Sequence, residues 1–280
     1  SVNDESTEHF KETYEGLVRK ILGAAWNPAV LLVHNVFYHN GANAQVMHAA
    51  IGRHYDLPSV SMQSSIYPEV VAGRIANRAI TPDDLHPNDE GHALVASVIT
   101  YFLEQVRSGK LTGSNARFTP GANLPVPLTK NAYEDSVRIR NAAAPDMAGL
   151  PQPTLDGFTP DETAQNEITD CFRYGWTAEK TGDAITFLVK GSCIAVQYRK
   201  SVKLPAPAAL AVVDGDTEHT VRLDANFDET WGDKLELTTL LEHGKEGEHT
   251  VTIRLAETHV DDAVPFYLVS VIAAGRSGKD

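Results

Sequence analysis

The sequence has only two cysteines, Cys171 and Cys193, among 280 residues. This number excludes the disulfide framework that holds many small secreted domains together. The two residues could pair with each other or remain buried thiols. The thiol interpretation is favoured because unpaired cysteine is commonly buried as a small apolar side chain. Neither alternative fixes the redox compartment, so the localisation stays open.

Basic residues and long apolar runs are also scarce. Asp and Glu outnumber Lys and Arg by 37 to 24, and the net charge is −13. This balance disfavours a nucleic-acid partner, which needs clustered Lys and Arg, and docking on an anionic membrane surface. No apolar run approaches the ~20 residues that a membrane span needs. A neutral partner, such as a small ester or an acylated carbohydrate, suits the charge.

The first 107 residues alternate helical and strand patterns. Apolar side chains recur at helical spacing in residues 7–22, 43–55 and 90–106. Residues 29–37 form a nearly continuous apolar run, typical of a parallel strand covered on both faces, and residues 57–62 read as a short strand. The order helix, strand, helix, strand, helix predicts an α/β layered domain over residues 1–107.

The rest of the chain changes character twice. Residues 108–165 are rich in Pro, Gly, Asn and Ala, which predicts a linker or irregular connection. Residues 166–280 contain seven short apolar runs separated by Gly, Asp and Pro, which predicts an antiparallel, jelly-roll-like β-sandwich. The runs cover residues 183–191, 193–201, 209–216, 219–225, 234–241, 249–256 and 266–275.

The most informative stretch is residues 81–92, TPDDLHPNDEGH. It places Asp83 and His86 three residues apart in a segment flanked by two prolines. A hydrolytic triad needs an imidazole that takes the nucleophile's proton, and a carboxylate that holds the other ring nitrogen in one tautomer. A short turn of this spacing delivers both groups. Asn88 resembles the N-cap of the helix that follows. The alternative interpretation of the whole stretch is a polar loop that only caps this helix.

This stretch resembles the last motif of the Ser-Gly-Asn-His hydrolases, also called GDSL esterases. The resemblance lies in Asp83, His86, Pro87, Asn88, Gly91 and His92. The start of the chain, Ser1-Val2-Asn3-Asp4, is similar to the Gly-x-Asn-Asp motif of the same family, with Ser1 where many members have Gly. The resemblance covers roughly residues 1–107 and implies a partial flavodoxin-like α/β/α layer. β-Sandwich modules similar to the C-terminal region are appended to some bacterial esterases of this kind.

The resemblance implies a role for each motif residue. His86 is expected to be the general base and then the general acid, and Asp83 is expected to orient it. Asn3 is expected to donate a hydrogen bond to the tetrahedral oxyanion. Asp84 is a competing carboxylate whose spacing to His86 fits the family less well. His92, one turn into the following helix, is expected to be a structural hydrogen-bonding residue.

The family's nucleophilic serine lies in a Gly-Asp-Ser motif upstream of the Asn motif, and the 280 residues contain no such motif. The substitutes have unsuitable settings. Ser64 and Ser65 follow a predicted strand without nearby glycines, Ser114 lies in the predicted linker, and Ser192 lies in a predicted hairpin. Ser1 could act through its own amino group only at the start of a strand, whereas a helix follows it. We therefore expect a missing N-terminal segment of the same protein to supply the serine and the further strands that a parallel sheet needs.

Four other residues have two interpretations each. His39 and Asn40 follow the predicted strand 29–37, at the sheet edge where ligands often bind, so they border the substrate or are solvated loop residues. Trp176 and Trp231 belong to the sandwich core or form a sugar-stacking platform, and the core is favoured. The eleven histidines show no His-x-x-x-His pair, and neither a metal nor another cofactor is expected.

The sequence thus predicts a serine esterase that cleaves acyl esters, with acetyl groups of carbohydrates as one substrate class. The rival hypothesis is a non-catalytic relic esterase domain that carries a carbohydrate-binding β-sandwich. A Gly-Asp-Ser segment encoded upstream of Ser1 would favour the enzyme.

Overall fold

A computed structural model describes residues 4–111, 124–145, 147, 149–167 and 169–275. The chain divides into two compact units, Ser1–Glu134 and Asp135–Asp280. The sequence predicts different boundaries, at 107 and 165, with a connection between them. Among the described residues, no helix is both long and apolar enough to cross a membrane.

The first unit combines helices with one pair of parallel strands. Its elements, among the described residues, are α1 (Glu8–Leu22), β1 (Leu32–His34), α2 (Gln45–His54), β2 (Ser59–Ser61), α3 (Ile66–Val71), α4 (Asn77–Ile80) and α5 (Asp89–Arg107). β1 pairs with β2, with Leu32 opposite Ser59 and His34 opposite Ser61. The sequence pattern does not reveal α3 and α4, because helices of six and four residues are too short to show a 3.6-residue period.

Side-chain caps explain where the two long helices begin. The Thr7 hydroxyl accepts a hydrogen bond from the Phe10 amide at 3.3 Å, before the first turn of α1. The Asn88 side chain accepts a hydrogen bond from the Gly91 amide at 3.0 Å, before the first turn of α5. Each cap satisfies an amide that has no partner within its helix. The N-cap expected at Asn88 is therefore confirmed.

The parallel strands of the first unit are incompletely covered. Of the residues in α5, only Gly91 is fully buried. Large apolar side chains stay exposed on α5 and β1, including Tyr101 at 68%, Leu103 at 53% and Val33 at 45%. Parallel sheets are normally covered on both faces, and two strands alone form a marginal sheet. Within the described residues, the apolar surface of this unit therefore lacks a covering layer.

Residues 124–134 return to the first unit because a buried carboxylate binds their backbone. Glu15 of α1 accepts hydrogen bonds from the Tyr55 hydroxyl at 2.6 Å and from the amides of Leu128 and Thr129 at 2.7 and 2.8 Å. Burial tends to raise the pKa of Glu15, but the hydrogen bonds outweigh burial and lower it. Backbone amides need partners wherever they are buried, and Glu15 supplies them here. Part of the segment expected to be a linker is thus held against α1.

The second unit consists of antiparallel strands. Among the described residues these are β3 (Val137–Ile139), β4 (Thr154–Asp156), β5 (Thr159–Pro160), β6 (Trp176–Ala178), β7 (Ala184–Gly191), β8 (Cys193–Lys200), β9 (Ala208–Val213), β10 (Val221–Asp224), β11 (Lys234–Leu241), β12 (Gly247–Glu257) and β13 (Phe266–Ala274). One sheet has the order β10-β9-β12-β7-β4, the other has the order β11-β8-β13-β6-β5, and β3 also pairs with β13. All seven predicted runs are strands.

Inward-facing side chains of both sheets share one apolar core. Phe187 and Ile253 enter it from one sheet, and Val196 and Leu268 enter it from the other. Two antiparallel sheets around a common core form a β-sandwich. The sequence pattern does not reveal β3, β4 and β5, which lie within residues 108–165. The last two are very short edge strands, where proline and loop-like composition are tolerated.

The structure separates the two tryptophans. Trp176 is 1% exposed and meets the Phe187 ring edge to face at 5.2 Å, so the core interpretation is confirmed for it. Trp231 is 65% exposed, and the core interpretation is wrong for it. Trp231 lies in the loop that leads from β10 to β11. Cys171 and Cys193 are both free thiols; Cys193 is buried, as expected, whereas Cys171 is only half-buried.

One ion pair joins β12 to the turn that follows β9. Nδ1 of His249 donates to the Asp214 carboxylate at 2.6 Å, and Nε2 donates to the Lys245 carbonyl at 2.8 Å. Since both ring nitrogens face acceptors, the protonated imidazolium is favoured. The hydrogen bond to Asp214 raises the pKa of His249, and the hydrogen bond from His249 lowers the pKa of Asp214.

Candidate active site

The segment between α4 and α5 is closed at its base by backbone and side-chain hydrogen bonds. The Asn88 amide donates to the Ile80 carbonyl at 3.0 Å, and the Asn88 side chain donates to the Ala79 carbonyl at 3.0 Å. A Cβ atom on Gly91 would lie only 2.3 Å from the Ile80 carbonyl oxygen. Glycine therefore lets α5 start directly against the end of α4. These contacts explain why the motif has Asn at position 88 and Gly at position 91.

Asp83 and His86 meet at the tip of this segment, as the sequence predicts. Nδ1 of His86 lies 2.6 Å from Oδ2 of Asp83. Oδ1 of Asp83 accepts hydrogen bonds from the backbone amides of His86 at 2.8 Å and Leu85 at 3.1 Å. One carboxylate thus orients both the ring and the backbone that carries the ring. These hydrogen bonds, first of all the one from the His86 ring, lower the pKa of Asp83 to about 2.

The other ring nitrogen of His86 is available for chemistry. The His86 side chain is 75% exposed. Within the described part of the chain, Nε2 has no hydrogen-bond partner. A carboxylate on Nδ1 fixes the tautomer in which Nε2 carries the lone pair, so Nε2 can accept a proton. The pair therefore has the geometry of the base and orienting acid of a triad.

Asp84, the competing carboxylate, has other partners. Its side chain accepts hydrogen bonds from Asn77 and, at 3.0 Å, from Arg78. Its carbonyl accepts the Tyr38 amide at 2.8 Å. No hydrogen bond joins Asp84 to His86 within the described residues. The geometry thus favours Asp83 as the orienting residue and gives Asp84 a different role.

The two residues expected to border the substrate lie in the turn after β1. Nδ1 of His39 is 3.9 Å from the Asp84 carboxylate, so His39 is adjacent to the segment that carries His86. The side-chain oxygen of Asn40 accepts the Ala42 amide at 2.9 Å and is used within the turn. Both residues are exposed on the surface. Their contact with substrate stays a prediction.

Other predicted residues lie elsewhere. Asn3, Ser1 and Ser114 fall outside the described residues. The Ser65 hydroxyl donates to the Ser61 carbonyl at 2.7 Å, so this serine is occupied locally. The expected structural hydrogen bond of His92 is wrong for the described residues, because its ring is exposed and has no such partner there.

Sequence reasoning missed Asn77 and Arg78, which belong to the surroundings of the site. Arg78 donates to the Pro82 carbonyl at 2.7 Å as well as to Asp84. No sequence signal points to them, because α4 is a single turn of helix. In the described residues, no three His, Cys, Asp or Glu side chains come close enough together to hold a metal ion.

Fold and site define a two-unit protein: an α/β unit with an exposed Asp-His pair, and a separate antiparallel β-sandwich. Comparison with solved structures agrees with this class. A two-domain esterase (CEX) active on acetylated mannans, co-crystallized with mannopentaose, is 63% identical with a TM-score of 0.89; the match covers 100% of this chain and 72% of that chain. The same description without the oligosaccharide applies to a second structure at 64% identity and TM-score 0.89, covering 99% of this chain and 72% of the other.

The chain belongs to the family of this two-domain esterase. The prediction of an esterase is confirmed at this level. No protein-family model matches the chain, and no curated protein matches it.

Proposed function

We propose that the protein is a serine esterase of the Ser-Gly-Asn-His kind that removes acetyl groups from mannans or closely related glycans. One observation carries the proposal: the 2.6 Å contact between Asp83 and His86, with Nε2 of His86 exposed and without a partner in the described chain. The substrate class rests on the similarity to an esterase active on acetylated mannans.

In the proposed mechanism, a serine Oγ attacks the acetyl carbonyl carbon while Nε2 of His86 takes the hydroxyl proton. Asp83, ionised because its pKa is about 2, stabilises the imidazolium that forms. Asn3 is proposed to donate a hydrogen bond to the oxyanion. When the intermediate collapses, the bond to the sugar oxygen breaks and His86 returns the proton to that oxygen. Water then attacks the acetyl-enzyme with the same base, and acetate leaves.

The serine in this proposal comes from a segment outside these 280 residues. Two observations support this. No serine among the described residues is hydrogen-bonded to His86. Apolar side chains on α5 and β1, such as Tyr101 and Val33, remain exposed beside a sheet of two strands. A segment that adds parallel strands and a helix would cover them and bring the nucleophile to the edge where His86 lies.

The test compares His86→Ala with His92→Ala in the full-length gene product. His92 is a matched control because it is an exposed histidine only six residues away, without a hydrogen-bonded ring in the described structure. His86→Ala should lower kcat on acetylated mannan by at least about 10³-fold, since removing one member of a triad disables the whole unit. His92→Ala should retain wild-type kcat.

A fluorophosphonate probe locates the nucleophile. Mass spectrometry of the labelled protein should place the modified serine outside residues 1–280, and residues 1–280 expressed alone should neither label nor turn over. A labelled serine within these residues, or an active His86→Ala variant, would contradict the proposed mechanism.

The sandwich offers a second candidate function, glycan binding, favoured by the exposed Trp231. Its ring meets Phe227 edge to face at 5.1 Å, and Lys200 and Lys234 lie within 6 Å of the Phe227 ring. The Phe227 amide donates to the Ser201 carbonyl at 3.0 Å, which anchors the loop to the sheet. An exposed, anchored indole presents a flat apolar face of the kind on which sugar rings stack.

Affinity electrophoresis in deacetylated mannan tests this function. Trp231→Ala in the full-length protein should weaken retardation by at least about tenfold, whereas Leu237→Ala, which removes another exposed apolar side chain from the sandwich, should not change it. Unchanged retardation of Trp231→Ala would remove the platform. Retained glycan binding by a wild-type protein without esterase activity would favour the non-catalytic alternative.

A further inference from the structure

The segment that carries the proposed catalytic pair is fastened by side chains that take no part in the proposed chemistry. Asn77 and Arg78 of α4 both donate to the Asp84 carboxylate. Arg78 also donates to the Pro82 carbonyl at 2.7 Å. We name Asn77, Arg78 and Asp84 the loop clamp. Its contacts lie on both sides of Asp83, the residue that orients the base.

Asp84 also holds an unusual backbone conformation. Its φ is +75°, in the left-handed region that Asp tolerates better than most residues but still at a cost. The Asp84 carbonyl accepts the Tyr38 amide at 2.8 Å, which ties the segment to the turn containing His39. Strained conformations persist where the surroundings hold them, and they often mark positions that matter for function. Here the surroundings are the clamp and the Tyr38 amide.

Between residues 82 and 86, packing holds the segment only at Leu85, which is buried, and does not hold the side chains of the catalytic pair themselves. The side chains of Asp83 and His86 are 50% and 75% exposed. They bond to each other and to the local backbone. The position of Nε2 therefore depends on the path of the backbone from residue 82 to residue 86. Catalytic geometry must hold within about 0.5 Å, so this path needs an external constraint.

We propose that Asp84 is a positioning residue: through the loop clamp it fixes the Asp83–His86 pair relative to the nucleophile, without contacting substrate. This inference rests on the proposed function of His86. It predicts that losing the Asp84 carboxylate lowers kcat and leaves KM nearly unchanged, because substrate contacts are kept while the base is displaced.

Three variants of the full-length protein distinguish the effect of losing the Asp84 carboxylate from the effect of changing a residue with positive φ. Asp84→Gly removes the carboxylate and accepts the left-handed conformation, and Asp84→Asn keeps an acceptor oxygen and tolerates that conformation. Asp56→Gly is the matched control, since Asp56 is an exposed residue with φ of +52° just after α2. Asp84→Gly should lower kcat by about 10- to 100-fold with KM within about threefold, since a displacement of about 1 Å costs on the order of 10²-fold. Asp84→Asn should stay within about fivefold of wild type, and Asp56→Gly should equal it.

A variant of Arg78 and a spectroscopic measurement keep the test decisive if Asp84→Gly fails to fold. Arg78 is 62% exposed, so Arg78→Met should fold, and it should lower kcat in the same way. The downfield NMR signal of the His86 Nδ1 proton, which reports the bond to Asp83, should weaken in Asp84→Gly and Arg78→Met and persist in Asp84→Asn.

The inference is overturned if Asp84→Gly and Arg78→Met keep wild-type kcat while His86→Ala is inactive. It is also overturned if Asp56→Gly loses as much activity as Asp84→Gly, because the effect would then be general backbone strain. An active His86→Ala variant is the separate outcome that removes the proposed function, and the positioning role with it.

Discussion

Gly91→Ala is a small change that should damage the candidate site more than it damages the fold. The added Cβ would lie 2.3 Å from the Ile80 carbonyl oxygen and 2.9 Å from the Pro87 Cβ. An ordinary contact is at least 3.4 Å, so backbone atoms must separate by about 1 Å. The Asn88 amide donates a hydrogen bond to that same Ile80 carbonyl, so the base of the segment that carries Asp83 and His86 must move with it.

Two effects on stability oppose each other. Overpacking costs about 1–3 kcal/mol, and replacing glycine by alanine inside a helix returns about 1 kcal/mol. The net destabilisation is therefore at most about 2 kcal/mol. The shift of about 1 Å at the base of the segment is the larger effect, because such a displacement of a catalytic group lowers kcat by about 10- to 100-fold.

Gly52→Ala is the matched control, since its added Cβ comes too close only to the end of the flexible Leu32 side chain, at 2.7 Å, and lies at an ordinary 3.8 Å from the Leu57 carbonyl oxygen. It should keep kcat within about twofold of wild type. Thermal unfolding by circular dichroism and kcat on an acetyl ester, measured on the full-length protein, check both variants. If Gly91→Ala matches Gly52→Ala in kcat, the tight contact does not position the site and the reasoning is refuted.

The remaining predictions concern stability. Glu15→Gln should destabilise the first unit by about 1.5–3 kcal/mol, because a buried carboxylate that accepts several hydrogen bonds is replaced by an amide that can accept fewer of them. The pKa of Glu15 is lowered in the fold, so this contribution is present at neutral pH and is lost as the pH falls through the lowered pKa; acid titration of wild type against the variant would show the loss. For His249, whose pKa is raised, stability depends on pH in the opposite direction. Its pairing with Asp214 stabilises the sandwich below pH about 6.5, and this stabilisation is lost as the pH rises through the raised pKa. His249→Gln should therefore be less stable than wild type at about pH 6 and approach wild-type stability at alkaline pH. Phe187→Ala should cost about 3–5 kcal/mol in urea unfolding, whereas Leu188→Ala, on the exposed face of the same strand, should cost less than about 0.5 kcal/mol; equal losses would mean that the strand register is wrong.

Contacts between residues close together in the chain could be predicted from the sequence. Asp83 and His86 are three residues apart, so a single turn brings them together, and Asn88 caps the helix that directly follows it. The seven apolar runs of the sandwich alternate or stay apolar because each strand faces the same core along its length. Local spacing contains the information for these contacts, and the structure shows them where the spacing places them.

Contacts between residues far apart in the chain could not be predicted from the sequence. Glu15 binds amides 113 and 114 residues away, which places part of a linker-like segment in the first unit. Trp231 is a large apolar residue of the kind usually found in a core, yet it is 65% exposed. Arg78 lies in a helix too short to leave a period in the sequence; it binds Asp84, while Asp83 lies against the His86 ring. Burial and side-chain partners of this kind arise when separate elements pack, and no local pattern records which elements will meet.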